Sequence, residues 1–327
     1  MKTSILLLLC LGWIGVMGAQ TLTLTRTILL PGVEGRIDHF SLDTDGERLF
    51  VAALGNNTVE VVDLKAGKVI RSVGGFSEPQ GILYLPEFQR LYVANGGDGT
   101  LRIFDGTTFA SIAVLKFAGD ADNLRYDSST KKIYVGYGSG ALGIVDAEKN
   151  VIVGNIPLSA HPESFQLEKN GTRIFVNVPS SHKISVEDRV TKKSLGSWSL
   201  GLVVANFPMA LDDENHRAFV ACRLQARLLI FDTQSDREIA KLDLHGDCDD
   251  VFYDAARRQI YASCGEGFID VFSQVDADHY TLKESVKTVS KARTCLFDNQ
   301  HLYLAIPLRG SEPAQIREYV VTLSPQP

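Results

Sequence analysis

The sequence predicts an all-β fold, a seven-bladed β-propeller built from four-stranded antiparallel blades. Three observations predict it. An apolar trio recurs seven times at a steady step, turn signals separate short strands, and a strand-like N-terminal segment stands ready where the last repeat runs out of chain.

The trio comes first. It stands at Leu49-Phe50-Val51, Leu91-Tyr92-Val93, Ile133-Tyr134-Val135 and Ile174-Phe175-Val176. It returns at Ala218-Phe219-Val220, Ile260-Tyr261-Ala262 and Leu302-Tyr303-Leu304. The step is about 42 residues, the period of four-stranded propeller blades. Its residues are apolar at successive positions rather than alternate ones, so this strand is expected to be buried on both faces, between neighbouring blades. Turns precede several trios, as at Asp45-Gly46 and Asn170-Gly171. Such dipeptides suit two-residue hairpins in which both turn positions take positive φ.

A small or polar loop follows each trio, then an alternating strand such as Val59-Glu60-Val61-Val62. That strand often ends in aspartate: Asp63, Asp105, Asp146, Asp188 and Asp232. An aspartate there is expected to accept backbone N–H groups of the next turn. A further strand follows in segments like Lys68–Val73. No stretch keeps a helical apolar period for long, and alternating helices are lacking, so a parallel α/β sheet is not expected. The last repeat has strands near 294–297, 302–305 and 316–321 and then ends. Thr21–Leu30 resembles the outer-strand segments and is expected to complete that blade, which removes an open pairing edge.

Composition sets limits on function. The 327 residues carry a formal net charge of −6, with 45% apolar and 22% charged residues. No basic run suggests a nucleic-acid surface. Residues 1–19 read as a signal peptide: Lys2, an apolar stretch from Ile5 to Val16, then Gly18 and Ala19 before cleavage. Cys10 follows Leu9 rather than a small residue, which argues against a lipid anchor. No later segment would span a bilayer as a helix, and residues 20–327 form one propeller domain, expected to be periplasmic or secreted and monomeric. Cleavage leaves Cys222, Cys248, Cys264 and Cys295. In an oxidising compartment, Cys222–Cys248 and Cys264–Cys295 would staple adjacent blades.

Segments such as Leu91-Tyr92-Val93-Ala94-Asn95 followed by Gly99-Thr100-Leu101-Arg102-Ile103-Phe104-Asp105 resemble the YVTN-type β-propeller repeat of exported bacterial proteins. Asn57–Asp63 and Pro79-Gln80-Gly81-Ile82 are similar to other parts of that repeat. The resemblance weakens in blades six and seven; Ser273 stands where aspartate is usual. It implies a fold and a compartment, not an activity.

The first strand of each blade lines the central channel, and its start forms a rim where seven loops converge. The repeat places there Asp38, His39, Gln80, Asp122, Asn123, Glu163, Asp249, Asp250 and Arg293, with His161 close by; Phe207 holds the equivalent position in blade five. This rim is polar and acidic. Asp38, His39, His161 and Asp249 are the candidate ligands of a divalent cation, against the plainer reading of solvated carboxylates paired with Arg36 or Arg293. His245–Asp250 is the densest run of ligand-type residues, yet it is a single loop. The leading expectation is a non-enzymatic binding or scaffold module of the cell envelope, with a small molecule or an envelope protein as its partner. The alternatives are a lactonase-like hydrolase using rim carboxylates with His39 or His161 as base, and a redox-partner subunit. Nucleophile-elbow, zincin, P-loop and dinucleotide motifs are lacking.

Overall fold

The structure, a computed structural model, describes residues 20–322. The predicted signal peptide lies outside the described residues. Seven four-stranded antiparallel sheets form the ring. In blade 1 the strands run from the channel outward as Phe40–Asp43, Arg48–Ala53, Thr58–Asp63 and Lys68–Val73. Blades 2 to 6 repeat this order along the chain. Blade 7 takes Cys295–Phe297, His301–Ile306 and Gln315–Val321 from the C-terminal end, and Leu22–Leu29 from the N-terminal end is its outer strand. Among the described residues no helix is long and apolar enough to cross a membrane.

Each trio occupies the second strand of its blade, as its pattern requires. Successive side chains of a strand point to opposite faces, so Leu49 and Val51 enter the apolar cluster shared with blade 7, while Phe50 enters the cluster shared with blade 2. Seven such clusters occur, one at every blade–blade junction, and the junction of blades 7 and 1 is filled like the rest. The aspartates that end the third strands act as the sequence suggests. Asp105 Oδ1 accepts the N–H groups of Thr107 and Thr108, at 3.0 and 2.7 Å, and Asp188 and Asp232 repeat the arrangement.

The first turn of a blade differs from the two-residue hairpin expected at Asp45-Gly46. Four residues separate Asp43 from Arg48, and Glu47 takes the positive φ, at 49°. Gly46 is needed for space: Asp43 caps the turn by accepting the Gly46 N–H at 3.0 Å, and its carboxylate fills the place of a side chain at Gly46. Gly171 stands against Glu168 in the same way.

A second repeat joins the blades. The residue that opens the second strand is arginine in blades 1, 2, 4 and 5, and each reaches a carbonyl just beyond the third strand of the following blade. Arg48 donates to Gly106 (2.7 Å), Arg90 to Ala147 (2.6 Å) and Arg217 to Ala277 (2.9 Å), and Arg173 donates to Thr233. Arg217 is the most enclosed of these and also pairs with Asp278 and Asp232. We expect Arg217→Ala to lose about 1–3 kcal/mol, because a buried acceptor is left without its charged donor. Calorimetry should then show a melting temperature lower by roughly 2–8 °C; an unchanged value would mean that these tethers carry no stability.

The cysteines depart from expectation. All four are buried free thiols, and neither Cys222–Cys248 nor Cys264–Cys295 is joined. The register of blade 6 instead sets Cys248 directly across from Cys264 on the neighbouring strand. Sequence spacing could not reveal this pairing, because it depends on the bulge between Cys248 and Asp250. Burial pushes the Cys222 thiol up to about 12 and raises that of Cys295 as well.

Candidate functional site

In four blades the rim residues sit where the ladder is broken. Register shifts fall between Pro79 and Ile82, Ala121 and Leu124, Asn206 and Met209, and Cys248 and Asp250, at the start of the first strand in blades 2, 3, 5 and 6. A bulge bends its strand and re-aims the side chains on it. Here it brings Gln80, Asp122, Asn123 and Asp250 to the channel wall. Gly81 makes the close approach of blades 2 and 3 feasible, since a side chain there would run into the Asp122 carbonyl.

These residues enclose a cavity of about 580 Å³ at the channel mouth, within the range of small-molecule sites. His39 lines it, with three carboxyl groups around its ring. Nε2 lies 3.8 Å from Asp38 Oδ1 and 3.9 Å from Asp122 Oδ1, and Nδ1 lies 4.0 Å from Asp250 Oδ1. These separations are too long for hydrogen bonds. Burial lowers the imidazole pKa of His39, more than the negative charge of Asp38 raises it, although three carboxyl groups surround the ring. Burial raises the Asp122 carboxyl well above its usual range, and the charges of Asp38, Glu163 and Asp120 push the same way. Asp250 is pushed up to about 8 by burial, against the Cys295 N–H that its Oδ2 accepts at 2.8 Å. Glu163 is raised by burial too, with His161 and Arg223 opposing. Asp122 Oδ1 is buried and has no hydrogen-bond partner among the described residues.

Arginines answer only part of this charge. Arg36 donates to Asp38 at 2.8 Å. Arg125 feels the charges of Asp250 and Asp122, donates to Ser164 at 3.3 Å, and lines both the mouth and a smaller cavity next to it. Arg223 lies over the Phe207 ring, 3.7 Å from its centre, and binds Asp249. Seven carboxyl groups, Glu78 and Asp120 among them, face three guanidinium groups in this cavity.

The residues singled out in the sequence divide as follows. Asp38, His39, Asp122 and Asp250 come together, with Asn123 and Glu163 beside them in the wall. Gln80 binds Asp120 at 2.9 Å. His161 donates from Nδ1 to the Gly138 carbonyl at 2.6 Å, and its Nε2 is 3.7 Å from Asp120. Asp249 is taken up by Arg223 and by Arg293, whose Nε lies 3.0 Å away; Arg293 itself belongs to the next cavity. The expected cation set of Asp38, His39, His161 and Asp249 therefore does not converge. Among the described residues no group of three or more His, Cys, Asp or Glu side chains is placed to hold a metal ion. The His245–Asp250 run disperses as well: His245 turns to Asp270 at 2.8 Å, Asp247 to Arg293, and Cys248 to the blade core.

Sequence reasoning missed Arg125 and Arg223. Arg125 lies two residues beyond Asn123 on one strand, so the period of two could have found it. Arg223 is the last but one residue of the second strand of blade 5, Arg217–Leu224, away from the rim positions, and nothing in the repeat marks it.

No protein-family model matches the chain, and no curated protein matches it. Among solved structures 1780 chains match, so the architecture is shared too widely to select a function. One is a chain from the crystal structure of the mitotic checkpoint complex, 12% identical, with a TM-score of 0.79 over 98% of each chain. At that identity the likeness shows the propeller fold alone.

Proposed function

We propose that this protein is an exported binding module whose channel mouth holds a small organic cation, a ligand bearing one or more protonated amines. The observation that carries the reading is Asp122 Oδ1, a buried acceptor with no donor in a cavity where carboxyl groups outnumber arginines. A buried polar atom left unpaired costs about 1–3 kcal/mol, which an arriving N–H group recovers. An ammonium suits this acceptor better than a metal ion, given the spread of the ligating side chains. Export rests on the N-terminal segment, and the YVTN-type resemblance agrees with it.

Calorimetric titration with putrescine and spermidine tests the reading. A cation in the mouth lowers the raised carboxyl pKa values, so binding near pH 7 should release protons. The heat should then differ between phosphate and Tris buffers. We expect one site per chain, weakened about tenfold or more by Asp122→Asn. If neither amine binds, or if Asp122→Asn binds as tightly as the parent, the reading is wrong.

One observation favours a lactonase-like hydrolase as the second reading. Asp250, a carboxyl pushed up to about 8, stands 4.0 Å from the His39 ring, whose pKa burial lowers, a pairing suited to general acid–base chemistry. Turnover of δ-valerolactone that Asp250→Asn abolishes would select it.

A further inference from the structure

A second cavity, of about 750 Å³, opens on the same rim between blades 7 and 1. Its walls come from the loop before the first strand of blade 1, the corresponding loop of blade 7, and the loop after the strand His301–Ile306. Its chemistry is opposite to that of the channel mouth. Four basic side chains line it, Arg36, Lys291, Arg293 and Arg309, against one carboxylate, Asp247. That carboxylate is already engaged, with Arg293 at 2.6 Å and Arg223 at 3.7 Å. Lys291 is exposed and makes no ion pair among the described residues. Among the described residues Arg309 pairs with Glu312, which is largely in solvent, and its Nε is buried without a hydrogen-bond partner.

Apart from Ser290 and Thr294, the other side chains of the wall are apolar. Ile37 and Ala305 are buried, and Pro307 and Leu308 continue the surface outward. Cationic groups at the edge of an apolar hollow select a ligand with one negative head and an apolar body: the head takes the guanidinium and ammonium groups, and the body covers the apolar side chains. Arg36 is common to the two cavities, and its bond to Asp38 keeps the acidic mouth and the basic hollow apart.

We infer that the hollow between blades 7 and 1 is a binding site for a small carboxylate with an apolar tail. It differs from the amine site in charge and in lining, although Arg36 belongs to both.

Calorimetric titration of the intact protein with decanoate, below its micelle concentration, tests the inference, with decylamine as the matched cation. The expected result is saturable binding of one decanoate, and no binding of decylamine at this site. The double variant Lys291→Glu/Arg309→Glu should weaken decanoate about tenfold or more, while its melting temperature stays within about 2 °C of the parent. A second variant, Leu308→Asp, should weaken binding through the apolar wall without touching a basic group. Asp122→Asn should leave decanoate binding unchanged, which separates this site from the amine site. The inference is overturned if decanoate does not saturate, if decylamine displaces bound decanoate, or if neither variant changes the decanoate affinity.

Discussion

A chain that starts at Pro31 should not fold cooperatively. The missing segment holds the strand Leu22–Leu29, which pairs with Gln315–Val321 along its length. Leu22, Ile28 and Leu30 are fully buried. Leu22 packs in the cluster between blades 6 and 7, and Ile28 and Leu30 pack in the cluster between blades 7 and 1. Each such side chain is worth about 1.5–3 kcal/mol when buried, against a net stability of about 5–15 kcal/mol for a whole domain. Two junctions of the ring would lose packing together, and a bare strand edge would be left for self-association. Circular dichroism and calorimetry of a chain starting at Gln20 should give one sharp transition. The chain starting at Pro31 should give a broad loss of signal and aggregation. A sharp transition within a few degrees of the longer chain would show that blade 7 holds without its outer strand.

Asp250→Asn should make the protein more stable in mild alkali. In the folded chain this carboxyl is pushed up to about 8, by burial first and by the charge of Asp38 after that. In the unfolded chain it titrates near 4. Between those values the folded state holds a proton that the unfolded state has released. Stability contributed by this group is therefore complete at low pH and falls as pH rises through that window. Each pKa unit corresponds to about 1.4 kcal/mol, so the loss is on the order of several kcal/mol. Asparagine removes the titration and keeps an acceptor for the Cys295 N–H, now 2.8 Å from Asp250 Oδ2. Melting curves from about pH 5 to pH 9 should show the parent losing roughly 5–10 °C, and the variant losing clearly less. Asp122 and Glu163, raised by the same burial, leave a residual slope in the variant. Parallel curves for the two proteins would mean that Asp250 ionises at an ordinary value.

The ring was legible in the sequence because its cause is local and repeated. Leu49-Phe50-Val51 and its six counterparts must each serve two junctions, and only successive apolar residues do so. The closing strand was legible for a similar reason: the last repeat lacked an outer segment, and Thr21–Leu30 had the pattern of one. The site was read less completely. Counting within the repeat put Asp38, His39, Asp122 and Asp250 at the rim, and bulges in blades 3 and 6 turn Asp122 and Asp250 toward His39. Counting could not say which way Asp249 turns, because two residues distant in the chain, Arg223 and Arg293, decide it. Nor could it show Cys248 opposite Cys264, where one extra residue in the strand changes the partner.

The pairing of the two chain ends has a mechanical consequence. Leu22 lies against Val321, and the Thr322 N–H is bonded to the Thr21 carbonyl at 2.9 Å, so both ends leave the sheet at the same corner. Tension applied through those ends loads one rung of the ladder at a time, as in opening a zipper, instead of sliding all the rungs together. Heat must disrupt seven packed junctions at once, whereas a weak pull on the two ends can strip the outer strand first and open the circle.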